Sequence, residues 1–111
     1  MKNLSSFECD DNKLTGSLPD DLPANLRRLH LAGNRLSGDL PPAMYKCADL
    51  SSVILTGNYL SGPISDEIAT LNRLRVLRLD ENRHTERDRD VITECITAYL
   101  PSIVAQKGFR I

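Results

Sequence analysis

The chain has 111 residues, 41% of them hydrophobic and 26% charged, with fourteen basic side chains against fifteen acidic ones and a formal net charge of −1. That length supports a single domain built on one core. No stretch approaches the roughly 18 consecutive apolar residues of a membrane span, and no basic block supplies the electrostatic footprint of a nucleic-acid binder, so neither a membrane nor a phosphate backbone is expected as a partner.

Met1-Lys2-Asn3-Leu4 does not lead into the long apolar core of a secretory signal, which predicts a cytoplasmic location for the chain as written. Cys9, Cys47 and Cys95 are odd in number and widely spaced, and none pairs with His30 or His84 at zinc-site spacing. A reducing compartment is expected, with no disulfide framework, no metal and no cofactor. The tripeptide Asn3-Leu4-Ser5 would matter as a glycosylation acceptor only in a secreted protein.

Leucine fills 17 positions, and its placement is periodic. Asn12 is preceded by Leu4, Phe7 and Cys9 and followed by Leu14 and Gly16. Leu26, Leu29, Leu31, Leu36 and Gly38 stand at the same offsets around Asn34, and Leu50, Val53, Leu55, Leu60 and Gly62 around Asn58. Leu74, Leu77 and Leu79 precede Asn82, but the second half then fails at His84 and Glu86. The asparagines recur at intervals of 22, 24 and 24 residues, and such a period predicts a solenoid.

The alternation in Leu29-His30-Leu31 is that of a short strand with one face on a core and the other in solvent. Equal periods stack these strands in parallel. Each asparagine falls where the strand ends and the chain turns inward, so its amide can bond backbone groups of its own and the adjacent coil that would otherwise be buried unpaired. Asn12, Asn34, Asn58 and Asn82 are therefore expected to form a structural ladder. The glycine that follows permits a tight bend, Pro19 or Pro41 holds the return segment extended, and Leu22, Met44 and Ile68 cover the far side of the core.

Leu26 to Asn34 reads LxxLxLxxN, and the segment Asn34-Arg35-Leu36-Ser37-Gly38-Asp39-Leu40-Pro41 resembles the plant-type leucine-rich repeat. Asn12 to Pro19 and Asn58 to Ser65 repeat it, with Ser65 where the family usually has proline. The resemblance covers residues 4 to 82 and implies a right-handed coil of parallel strands that binds other molecules, as in the extracellular parts of receptor-like kinases and in polygalacturonase-inhibiting proteins. It also implies that the outward strand positions form the recognition surface. The chain departs from those proteins in showing no signal peptide, paired-cysteine caps, membrane span or kinase domain.

After the break at His84, Thr85 and Asp88 have the spacing of a helix N-cap and its capping box. Val91, Ile92, Cys95, Ile96, Tyr99 and Leu100 follow at helical spacing until Pro101. The stripe suits a cap over the last coil or a partner-binding helix, and Glu86, Asp88, Asp90 and Glu94 spoil the basic face a membrane-surface helix needs. At the other end the chain begins almost at its first consensus position, so the first coil is expected to be exposed: part of a longer solenoid, an edge for association, or a frayed repeat.

No phosphate-binding loop, nucleophile elbow or metalloprotease motif is present. Cys9 and Cys47 read as small buried hydrophobes and Cys95 as part of the helical stripe, although a catalytic thiol among them would make the chain an enzyme. Acidic pairs such as Asp20-Asp21 are adjacent rather than facing, as in solvated loops. What remains is surface. The outward positions give three columns: Ser6, Arg28, Ser52, Val76; Glu8, His30, Ile54, Arg78; and Asp10, Ala32, Thr56, Asp80. Four strands span about 15 Å, a face smaller than a standard protein interface.

The sequence therefore predicts an α/β leucine-rich-repeat solenoid over residues 1–84, followed by a C-terminal capping helix and tail over residues 85–111. The expected function is non-catalytic binding of a protein or peptide through Glu8, Asp10, Arg28, His30, Ile54, Thr56, Arg78 and Asp80, with further association through the edge of the first coil. The alternative is a fragment of an extracellular receptor-like or enzyme-inhibitor protein.

Overall fold

The computed structural model describes residues 5–111, so Leu4 and the sequon residue Asn3 lie outside the described residues. In chain order the repeats give strands β1 (Ser6–Glu8), β2 (Thr15–Gly16), β3 (Arg28–His30), β4 (Arg35–Gly38), β5 (Ser52–Ile54), β6 (Tyr59–Leu60) and β7 (Val76–Arg78). Two 3-10 segments, Pro42–Lys46 and Asp66–Thr70, form the opposite side of the second and third turns of the solenoid. The helices α1 (Glu86–Tyr99) and α2 (Pro101–Ala105) follow, and a last strand, β8 (Phe109–Arg110), closes the element order.

Strands β1, β3, β5, β7 and β8 form one sheet, each parallel to its neighbours. The register sets Phe7 beside Leu29, Leu29 beside Val53, Val53 beside Leu77 and Leu77 beside Phe109. These residues point into a core that also takes in Leu26, Leu31, Leu50, Leu55, Met44, Ile68 and Leu71, all fully buried. Burial of each such side chain contributes about 1.5 to 3 kcal/mol. A second sheet, β2-β4-β6, lies where each coil leaves its asparagine; its strands are two to four residues long, and the sequence reading treats the same segments only as bends.

The backbone repeats as closely as the side chains. The residue before each ladder asparagine has a positive φ: Asp11 (56°), Gly33 (70°), Gly57 (74°) and Glu81 (57°). So does the glycine four places after: Gly16 (84°), Gly38 (84°) and Gly62 (86°). The first site tolerates Asp and Glu in the small left-handed region. The second lies further from it, at larger φ, and has glycine in all three coils that keep the bend. In the fourth turn that place falls on Glu86, and the chain starts a helix instead.

Thr85 caps α1: its hydroxyl accepts from the Asp88 amide at 3.0 Å, while Asp88 Oδ2 accepts from the Thr85 amide at 3.2 Å. Asp88 Oδ2 also accepts from the Gly62 amide at 3.3 Å, tying the helix start to the preceding coil. Those bonds, the Thr85 backbone amide foremost, hold its carboxyl below the ordinary carboxylate range. Helix α1 packs beside the 3-10 segment Asp66–Thr70. Its buried stripe is narrower than the sequence reading proposes. Ile92, Ile96 and Leu100 are buried, with Ile103 of α2, and Cys95 is half-buried, but Val91 and Tyr99 are 44% and 47% exposed. A row spaced by four suffices to meet one neighbouring segment, and the flanking positions stay in water.

The tail also differs from expectation. Pro101 starts α2 at its first turn, where a missing N–H costs nothing, and Phe109-Arg110-Ile111 then repeats the alternation of Leu77-Arg78-Leu79 as β8. The helical segment is thus the outer side of a further, longer coil, and β8 rather than a helix stands at the sheet edge. Gly108 makes the return possible: a Cβ there would collide with the Arg75 carbonyl oxygen, while its carbonyl accepts from the Leu77 amide at 2.7 Å. Gly108→Ala should therefore detach β8, seen as faster amide exchange at Arg110 and Leu79 with the protection of β3 and β5 retained; unchanged exchange would mean the close approach is unnecessary.

His84 stands where Leu36 and Leu60 stand in the preceding coils. Its Nδ1 is buried with no hydrogen-bond partner among the described residues, and burial lowers its pKa from 6.5, partly opposed by nearby Asp88. A depressed folded-state pKa means that stability is fully present above pH 6.5 and declines as pH falls through the folded value. Thermal melts should show a loss on acidification from about pH 7 to about pH 5 that His84→Gln reduces. An identical loss in that variant would assign the pH dependence elsewhere.

Candidate binding surface

The hydrophobic alternation that buries Leu29, Val53 and Leu77 turns the intervening side chains outward on the five-stranded sheet. In the observed register Ser6, Arg28, Ser52 and Val76 form one column, and Glu8, His30, Ile54, Arg78 and Arg110 the next. Arg110 continues the second column beside Arg78. The sequence reading does not include it, although the Phe109-Arg110-Ile111 alternation carries the signal.

Four of these residues meet. His30 Nδ1 lies 3.2 Å from Glu8 Oε1, and Arg28 Nη1 lies 4.0 Å from the same oxygen. On the other side His30 Nε2 shares a hydrogen bond of 2.7 Å with Ser52 Oγ. With the Nδ1 proton directed to Glu8, Nε2 accepts from the serine hydroxyl. The His30 side chain is 18% exposed and Glu8 48%, so the imidazole is held rather than free. Ser52, which the period alone places only in the first column, is thus part of the cluster.

Hydroxyl, imidazole and carboxylate in series are the parts of a nucleophilic relay. A relay also needs donors converging on a developing oxyanion, and here neighbouring amides are committed to the sheet: Ser52 donates to Arg27 O, and Leu31 to Ile54 O. The arrangement instead orients a polar surface. Beyond the strand ends Asp10 Oδ1 accepts from the Ala32 amide at 2.8 Å, and Thr56 Oγ1 donates to Asp80 Oδ1 at 2.9 Å. Ile54 is the apolar member between His30 and Arg78. Along the second column the charge runs from Glu8 on β1 to Arg78 and Arg110 on β7 and β8, while Asp10 and Asp80 place a carboxylate at each end of the third.

The asparagines are placed differently from the outward residues. Asn34 Nδ2 donates to Cys9 O and Leu31 O, each at 2.9 Å, and its Oδ1 accepts from the Leu14 amide at 3.2 Å. Asn58 bonds Leu31 O, Leu55 O and the Leu36 amide, and Asn82 bonds Leu55 O, Leu79 O and the Leu60 amide. Asn12 is exposed and bonds its own coil at Cys9 O and Asp10 O.

The cysteines are not gathered into a site. Cys47 is buried, with Sγ 3.4 Å from Pro23 O, and burial pushes its thiol pKa up. Burial, followed by nearby Asp66, raises that of Cys95. Both shifts disfavour the thiolate a nucleophile needs. Cys9 is half-buried against the core. Among the described residues no group of three or more His, Cys, Asp or Glu side chains is placed to hold a metal ion, and no helix is long and apolar enough to cross a membrane.

Residues 25–47 match the sequence model of the Leucine Rich Repeat family. A probable LRR receptor-like serine/threonine-protein kinase of Arabidopsis thaliana is 34% identical over 78 residues, or 69% of this chain and 10% of that protein. The curated relatives reported with it are likewise matched over a tenth of their length or less. The Arabidopsis receptor kinase HAESA, solved in complex with the peptide hormone IDA and the co-receptor SERK1, superposes with a TM-score of 0.71 at 34% identity, over 76% of this chain and 15% of that one. A leucine-rich-repeat protein of Leptospira interrogans superposes with a TM-score of 0.77 at 27% identity, over 98% of this chain and 26% of its own; that overlap takes in the C-terminal helices as well as the repeats. Strand register, asparagine bonding and these matches agree: the chain is a leucine-rich-repeat protein whose repeats are of the plant type.

Proposed function

We propose that this chain is a non-catalytic recognition module that binds a protein or peptide across its five-stranded sheet, as part of an extracellular receptor-like protein. The observation that carries the reading is the outward face itself. Glu8, Asp10, Arg28, His30, Ile54, Thr56, Arg78 and Asp80 are free of core duty, mixed in charge and partly fixed by the Glu8–His30–Ser52 bonds. Side chains held in place before binding lose less entropy on binding, and mixed charge favours an orientated polypeptide over a polyanion. Similarity to HAESA, a receptor kinase solved with a peptide hormone and a co-receptor and whose leucine-rich-repeat part is an ectodomain, supports the partner class and the location outside the cell.

The edge at β1 is a second contact in this reading. Leu14 is 39% exposed, whereas its counterparts Leu36 and Leu60 are buried, so the first coil has an apolar position for an adjoining surface to cover.

Panning a random peptide library on the immobilised chain tests the main contact. Peptides selected by the wild type should bind the combined variant Glu8→Ala, His30→Ala, Arg78→Ala at least about tenfold more weakly, with a melting temperature within about 3 °C of wild type. Undiminished binding would move recognition off the five-stranded sheet.

A further inference from the structure

Each rung of the asparagine ladder is made in the same way. The amide two residues after one asparagine donates to the Oδ1 of the next: Leu14 to Asn34 at 3.2 Å, Leu36 to Asn58 at 3.1 Å and Leu60 to Asn82 at 2.9 Å. The carbonyl at each strand end takes two side-chain N–H groups, so that Cys9 O, Leu31 O and Leu55 O each accept from two successive asparagines. After Asn82 the pattern is half made. The His84 amide, next in the series, has no acceptor among the described residues, and Leu79 O accepts from Asn82 alone, at 3.0 Å.

Leu79 and His84 border one groove of about 290 Å³, lined also by Glu81, Asn82, Arg89 and Ile111. Ile111 follows Arg110, which pairs with Arg78, and is therefore the counterpart of Leu79. The groove thus lies on the line of the ladder, one coil beyond Asn82. Leu79 is buried and Ile111 half-buried, which gives it apolar walls. Arg89 is committed, its Nη1 donating to His84 O at 2.9 Å, and Glu81 has no cation within 4.0 Å among the described residues.

We propose that this groove binds a primary carboxamide, the side chain of an asparagine or glutamine on a partner polypeptide, in the orientation the ladder uses. Its oxygen takes the His84 N–H and its NH2 group donates to Leu79 O. One donor beside one acceptor is what selects the ligand. A carboxylate satisfies the His84 N–H but sets its second oxygen against Leu79 O and the Glu81 charge, whereas an ammonium reaches Leu79 O and leaves the His84 amide without an acceptor. A carboxamide serves both groups and carries no charge to desolvate. None of these residues belongs to the outward sheet face, so either site can fail in experiment without the other.

The test is a titration of the nitrogen-15-labelled intact chain with propanamide, propanoate and propylammonium, which are similar in size and differ in charge and hydrogen bonding. Propanamide should move the His84 amide resonance downfield and saturate it with a dissociation constant on the order of millimolar, as suits so few atoms. The two ions should bind at least about tenfold more weakly. His84→Pro removes the N–H and should weaken propanamide at least about tenfold, while the combined variant Glu8→Ala, His30→Ala, Arg78→Ala should bind it as wild type does. If the proline variant does not fold, the three ligands on the wild-type chain decide the matter alone. The proposal is overturned if propanamide leaves the His84 amide unmoved, if either ion shifts it equally, or if folded His84→Pro binds propanamide undiminished.

Discussion

The side chains of Asn34, Asn58 and Asn82 each touch two coils at once from inside the turn. The two N–H donors of Asn58 reach the carbonyl that ends its own strand and the carbonyl that ends the strand before it, and its oxygen takes an amide from the turn of the preceding coil. Parallel strands three residues long would otherwise end on buried backbone groups without partners, each costing about 1 to 3 kcal/mol. With those ends satisfied, the leucines behind them can be buried completely.

Everything on the surface inherits that register. Because coils of 22 and 24 residues bring like positions into line, Glu8, His30 and Ile54 share a column and Ser52 falls within reach of the His30 ring. The last coil keeps the register although it is longer: Leu77 is followed at its equivalent by Phe109, with α1 and α2 spanning the extra length. What changes is the outer side, from a 3-10 turn to a helix, while Gly108 lets the chain back against Arg75.

The repeats are legible in the sequence because period and chemistry coincide there: Leu26-Leu29-Leu31 with Asn34 specifies a strand, its facing and its turn together. The fifth strand is hidden because Phe109 comes 32 residues after Leu77 and the Gly108-Phe109-Arg110-Ile111 run carries no asparagine within it. The second sheet escapes notice because pairs such as Thr15-Gly16 and Tyr59-Leu60 are too short to show alternation. In α1 the spacing of Val91 and Tyr99 fits an amphipathic helix, but only contact with Asp66–Thr70 decides that Ile92 and Ile96 face inward. Among the outward residues the columns follow from the period, whereas the contact of Glu8, His30 and Ser52 depends on rotamers that no pattern states. Arg110 is lost with its strand.

The account stands on the claim that the asparagine amides, rather than leucine packing alone, hold successive coils together. Urea unfolding of Asn58→Ala against the exposed control Ser61→Ala measures this most directly, since Asn58 is 3% exposed and bonded to two coils. The account predicts a loss of about 1 to 3 kcal/mol for Asn58→Ala and under about 0.5 kcal/mol for Ser61→Ala. Equal, small losses in the two variants would contradict it.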